Sequence, residues 1–239
     1  MCTLSYLPLE NGFIFTSNRD ERKARARAIA PQLYSIHGSQ VVYPKDPEAG
    51  GTWLAVSESG IAICLLNGAK EKHISNPPYR QSRGLLLLDF WKYADPQNFL
   101  ENTDFDGIEP FTLVVAQIGK CETIRWNGQN TEFEVKDSKK PAIWSSATLY
   151  SPEVIKEREN WFQEWLKNQT SFETNSILDF HRLGGKGDPG NHLVMSRSDQ
   201  KSTLSISSVS VQSENIEFHY QDLLALTYSS IQIPLLQTT

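Results

Sequence analysis

Three cysteines in 239 residues, at positions 2, 64 and 121, are too widely spaced and odd in number for a disulfide framework. No CxxC, HExxH or paired His/Cys spacing occurs, and the five histidines are scattered, so no metal site is expected. No window approaches the roughly 20 apolar residues of a membrane span. The apolar run around Phe13 to Phe15 is too short for a signal-peptide core, and no basic segment precedes it. A cytosolic location is therefore expected. Positive charge is also in deficit: the formal net charge is −5, which argues against nucleic acid as the main partner.

What remains is an ordinary globular composition, 39% hydrophobic and 21% charged. The length suits one large domain, and no linker, repeat or low-complexity segment divides residues 1–239. Strand patterns cover residues 2–9 and 13–17, with Asn11-Gly12 as the turn between them, then 52–56 and 61–66. A helical region follows the Pro77-Pro78 start signal, with Leu85 to Leu88 on its apolar face. Asp95-Pro96 caps a second, short helix. Strands return at 111–117, 122–126, 131–135 and 142–145. Ser151-Pro152 opens the clearest helix, whose apolar positions include Ile155, Phe162, Trp165 and Leu166. A shorter helix around 177–181 ends at Gly184-Gly185, and closing strands are expected at 192–195, 203–211 and 216–220. Strand blocks separated by helix blocks predict an α+β domain of two mainly antiparallel sheets with helices outside.

Cys2 is the residue with the most chemistry to offer. Removal of Met1 would leave a thiol and a free α-amine on one residue. The reference pKa values are about 8.5 for the thiol and about 7.7–8.0 for the amine. The amine is then partly neutral near pH 7 and can act as base for its own nucleophile, with no histidine required. The alternative is an arbitrary second residue.

The hairpin bears on that choice. With Asn11-Gly12 as a two-residue loop, Thr3 comes opposite Asp20 and Cys2 opposite Glu21. Alternation then places Arg19 on the face of the Cys2 thiol, at a diagonal of about 7–8 Å. Asp20 runs beside the chain terminus, where it could accept a hydrogen bond from the amine. A guanidinium favours thiolate, and a carboxylate orients the amine. The competing reading makes Arg19 and Asp20 the start of a solvated charged loop continuing to Arg27. At the end of the 61–66 strand, Asn67 could donate to a tetrahedral oxyanion, worth about 2.7–4 kcal/mol per donor; a plain Asn-Gly turn is the other possibility. Trp53, Tyr79, Trp144 and Tyr150 could line a pocket or pack in the core.

These residues together resemble a known family. Cys2-Thr3, Ser17-Asn18-Arg19-Asp20-Glu21, Gly50-Gly51-Thr52-Trp53-Leu54-Ala55-Val56 and Gly60-Ile61-Ala62 through Leu66-Asn67 look like the NRDE family, the transport-and-Golgi-organisation type. That family is similar to the N-terminal-nucleophile (Ntn) hydrolases of the choloylglycine and penicillin V acylase type. The resemblance implies a four-layer αββα sandwich and hydrolysis of a linear C–N amide in a small acylated substrate. Cys2 would be nucleophile and base, Arg19 and Asp20 would orient it, and Asn67 would help form the oxyanion hole. Ser146 stands where the acylase pattern has a second Asn, and Arg197 is the candidate for its late arginine. No cofactor is implied, and an oligomer is compatible with the pattern. The alternative is a non-catalytic binding or trafficking protein on the same fold, the one reading in which haem would be a ligand.

Overall fold

The computed structural model describes residues 3–236. Six strands form one sheet: β1 (Thr3–Leu9), β2 (Gly12–Arg22), β10 (Ala142–Ser145), β11 (Lys201–Gln212), β12 (Asn215–Asp222) and β13 (Thr227–Pro234), in the order β10-β1-β2-β11-β12-β13. Seven form the other in sequence order: β3 (Ile29–Ile36), β4 (Ser39–Lys45), β5 (Leu54–Ser57), β6 (Ala62–Asn67), β7 (Phe111–Gln117), β8 (Lys120–Trp126) and β9 (Thr131–Lys136). All these pairings are antiparallel.

The layers follow from side-chain alternation. Between the sheets lie Leu4, Tyr6, Phe13 and Phe15 from one sheet and Leu54, Val56, Cys64 and Leu66 from the other. The opposite face of the seven-stranded sheet, with Ile63, Leu65 and Leu113, packs on helix α1 (Arg83–Asp89) and on α2 (Pro96–Asn102). The opposite face of the six-stranded sheet, with Leu7 and Ile14, packs on α3 (Pro152–Lys167) and α4 (Thr174–Leu183) through Phe162, Ile177 and Phe180. This is the expected αββα sandwich. Both faces of the central strands are covered, which explains the near-continuous apolar runs in β6 and β7.

Two helices begin where their caps predict. Ser151 accepts from the Val154 amide with Pro152 in the first turn, and Asp95 accepts from the Asn98 amide at 2.8 Å with Pro96 next. The first helix starts later than Pro77-Pro78 suggested, capped by Ser82. Three strands escaped the sequence reading, β3, β4 and β13. β3 and β13 are edge strands with many exposed positions and a proline each, so neither carries a strong apolar period. Residues 192–195 form no strand and instead cross the helix layer as an irregular segment.

The first hairpin has the expected two-residue loop in a shifted register. Its loop is Glu10-Asn11, with Leu9 opposite Gly12 and Thr3 opposite Asn18 rather than Asp20. The cause is the neighbouring strand. A Cβ at residue 12 would lie 2.0 Å from the Val211 carbonyl oxygen, so Gly12 admits β11 at close range instead of serving the turn. The register moves by two residues, which leaves the faces unchanged. The expected pairing of Cys2 with Glu21 falls outside the described residues.

Candidate active site

The outer face of the β1–β2 hairpin changes character along its length. Leu7 and Ile14 near the turn pack on the helices, Ser5 and Thr16 follow, and Thr3, Asn18 and Asp20 occupy the far end. Apolar packing thus gives way to a buried polar network. Asn18 donates to the carbonyls of Leu193 (2.6 Å) and His181 (3.1 Å), and its oxygen faces His181 Nδ1. The His181 Nε2 lies 2.7 Å from the Ser5 hydroxyl. This places the imidazole proton on Nδ1, with Nε2 accepting from Ser5. Complete burial, reinforced by the nearby Arg158 charge, pushes the His181 pKa down to about 3.

Asp20 is buried at the end of this face. Its carboxylate accepts from the Tyr150 hydroxyl at 2.7 Å and from the Thr203 hydroxyl at 2.5 Å. Thr203 lies directly opposite Asp20 in the sheet, so the strand pairing itself supplies one of the donors. Tyr150 therefore does more than pack: it holds a carboxylate.

Arg19 points the other way, between the sheets, with 4% of its surface exposed. Its Nη2 is 2.7 Å from Asp46 Oδ2, and its guanidinium stacks 4.5 Å from the Trp53 ring centroid. Asp46 Oδ2 also accepts from Arg25 Nε at 2.7 Å, while Oδ1 accepts from the Glu48 and Ala49 amides. Burial alone would raise the Asp46 pKa. The Arg25 and Ala49 hydrogen bonds and the two arginine charges outweigh it and hold the carboxyl below its ordinary value. The Gly-Gly-Thr-Trp motif builds this arrangement. Gly50 adopts φ +73°, closing the loop onto Asp46, and Gly51 packs backbone to backbone on Gly84 at the start of α1, where a Cβ would meet the Gly84 carbonyl carbon at 2.2 Å. Thus Arg19 and Asp20 are not the start of a solvated loop. They continue β2 past Thr3, on opposite faces, each held by its own partners.

Asn67 ends β6, half-buried. Its backbone carbonyl accepts from the Ser146 hydroxyl at 2.7 Å, and Ser146 also shares a hydrogen bond with Thr148 at 2.9 Å. Ser146 is therefore tied to the Asn67 backbone. The Gly68 amide is likewise engaged, donating to the Pro110 carbonyl at 2.9 Å. Arg19, Asp20 and Asn67 all line one cavity of about 560 Å³, with Trp53, Tyr79 and Arg83 among its other walls. The Trp53 indole N–H is buried and has no partner among the described residues.

Arg197 does not line this cavity. It braces loops, donating to the carbonyls of Gly190 (2.8 Å) and Leu149 (3.0 Å). A different arginine, missed in the sequence, is fully buried: Arg158 of α3 donates to the Thr3 hydroxyl and to the Asn191 and His192 carbonyls. A signal was available, because Arg158 falls at helical spacing between Ile155 and Phe162 and interrupts the apolar stripe.

Cys2 lies outside the described residues. The other two thiols are poor nucleophiles. Cys64 and Cys121 are buried, and desolvation pushes each pKa up to about 12. Among the described residues, no group of three or more His, Cys, Asp or Glu side chains could hold a metal ion, and no helix is long and apolar enough to cross a membrane.

Solved structures share this architecture. A point mutant of conjugated bile acid hydrolase from Clostridium perfringens superposes with a TM-score of 0.61 at 12% identity, covering 98% of this chain and 92% of that one. A second variant of that enzyme gives 0.61 at 12% identity over 96% and 92%. The Caenorhabditis elegans orthologue of N-acylethanolamine-hydrolyzing acid amidase gives 0.52 at 12% identity over 87% and 92%. These likenesses place the fold among the Ntn hydrolases. No curated protein matches the chain in sequence. The profile of the Transport and Golgi organisation 2 family matches residues 1–224, and the chain belongs to that family.

Proposed function

We propose that the protein is an N-terminal-nucleophile cysteine amidohydrolase that cleaves a linear C–N amide bond in a small acylated substrate. The observation that carries this reading is the convergence of Arg19, Asp20 and Asn67 on one cavity where β2 runs past Thr3. After loss of Met1, the Cys2 amine takes the thiol proton and the thiolate attacks the substrate carbonyl. Asn67 stabilises the oxyanion, a contribution of about 2.7–4 kcal/mol. The protonated amine gives its proton to the leaving nitrogen, the C–N bond breaks, and a thioester remains on Cys2. Water, deprotonated by the same amine, then releases the carboxylic acid and restores the thiol. Arg19 favours the thiolate, and Asp20 orients the amine. The Trp53 N–H, which has no partner among the described residues, would donate to an acceptor on the substrate.

Intact mass spectrometry tests the reading directly. The mature protein is expected to lack Met1 and, incubated with acyl amides, to gain the mass of the acyl group on Cys2. Cys2→Ala is expected to abolish hydrolysis, and Asn67→Ala to lower kcat by about 10²–10³-fold. Retention of Met1, or ligand binding and cellular rescue undiminished in Cys2→Ala, would point instead to a binding protein on a hydrolase fold.

A further inference from the structure

Arg158 is an expensive residue to place where it is. Its side chain is fully buried in the layer between α3 and the six-stranded sheet, and no carboxylate among the described residues lies within ion-pair distance of it. Removing a guanidinium from water without a counter-charge is strongly unfavourable, and an apolar side chain would complete the stripe of Ile155 and Phe162 at no such cost. Compensation comes instead from directed contacts. Nε and Nη2 donate to the Asn191 carbonyl at 3.1 and 3.0 Å, Nη2 donates to the His192 carbonyl at 2.5 Å, and Nη1 donates to the Thr3 hydroxyl. The guanidinium also lies 3.6 Å from the centroid of the Tyr150 ring, whose hydroxyl donates to Asp20.

We propose that Arg158 is a positioning residue for the N-terminal nucleophile: it anchors Thr3, the residue bonded to Cys2, braces the Tyr150–Asp20 pair, and sets a fixed positive charge at Thr3, one residue along the chain from Cys2. This rests on the amidohydrolase reading above, which it deepens. A fixed cation near the terminus favours thiolate over thiol and neutral amine over ammonium, and both changes increase the reactive form at neutral pH. The groups facing Arg158 are Tyr150 and, through it, Asp20; His181 from α4; and Arg197, whose guanidinium shares the Tyr150 ring at 5.0 Å. Asp20 is the carboxylate in this set, linked to Arg158 through the tyrosine. The charge is felt at range, for it contributes to holding the His181 imidazole neutral.

The test is the pH–rate profile of iodoacetamide alkylation of the mature protein, read by intact mass. Cys64 and Cys121 are buried with raised pKa values, so the label reports residue 2. Arg158→Met is expected to lower the rate at pH 7 by about tenfold, the equivalent of one pKa unit, and to move the profile to higher pH. Arg158→Lys keeps the charge and is expected to restore most of the profile. Thr3→Val removes the anchored hydroxyl at nearly constant shape and is expected to lower the rate several-fold. A merely structural Arg158 would lower the melting temperature in both Arg158 variants and leave the profile where it was, which overturns the proposal. Should Arg158→Met fail to fold, an unchanged alkylation rate in Thr3→Val overturns it equally. The assay needs no substrate, so an absence of amide hydrolysis would remove the amidohydrolase reading without deciding this one.

Discussion

His181 shows how a single buried side chain makes stability depend on pH. Unfolded, it titrates near its ordinary value of 6.5; folded, it titrates near 3. Because the folded value is depressed, the stability it contributes is complete above about pH 6.5 and is lost as pH falls toward 3, at up to about 1.4 kcal/mol per pH unit. His181→Gln is therefore expected to flatten the decline in unfolding free energy between pH 6.5 and 4.5, measured by urea denaturation at each pH. An unchanged slope would show that the ring is not held neutral. Asp46 acts in a lower window: its depressed pKa contributes stability above its ordinary value of 3.8 that is lost as pH falls further. Neither residue drew notice in the sequence, since a lone histidine in a short helix and an aspartate in a charged segment look like surface. Their partners, Asn18 and Ser5 for one and Arg19 and Arg25 for the other, lie 21 to 176 residues away along the chain.

Elements built from strong local signals were the legible ones. β7, β10 and α2 fall where the apolar pattern and the Asp-Pro cap put them. The first hairpin was legible in kind but not in register, because β11 decides where Gly12 sits. Gly51 repeats that lesson at the site. Its Cβ would collide with the Gly84 backbone, so Gly51→Ala must push α1 away from the Asp46 loop. The expected cost is about 1–3 kcal/mol in urea denaturation, accompanied by slower alkylation of Cys2 as Asp46 loosens its hold on Arg19. A stability equal to wild type would mean the α1 contact yields freely. The α3 stripe is the complementary case: Phe162 is wholly buried, and Phe162→Ala is expected to cost about 3–5 kcal/mol.

At the scale of the whole molecule, the two sheets and the α1 layer bring five separate segments between residues 19 and 109 to one cavity. Most of its lining residues are of charged or polar type, with Arg19, Arg25, Arg83, Asp46 and Glu109 among them, alongside apolar side chains such as Trp53, Leu65 and Leu85. A cavity of about 560 Å³ with such walls suits a compact polar acyl group better than a long hydrocarbon chain, because each buried charge left facing hydrocarbon loses its solvation. Under the proposed amidohydrolase activity, kcat/KM is expected to be at least about tenfold higher for a short polar acyl amide than for a long-chain one. The reverse preference in a substrate series would assign the acyl group to another surface.

Local chemistry by itself determined which residues were candidates and what kind of fold would hold them. A cysteine at position 2, an Arg-Asp pair at the end of a hairpin and an Asn closing a buried strand are all readable from residue types, turn signals and a two-residue period. The tertiary structure alone decided how they are held. Asp46 reaches Arg19 from the loop after β4 of the other sheet, Tyr150 and Thr203 reach Asp20 from 130 and 183 residues away, and Arg158 reaches Thr3 from a helix in a different layer. Buried charges and hydrogen-bonding groups need partners whatever their distance along the chain, and only the packed layers settle which partners those are.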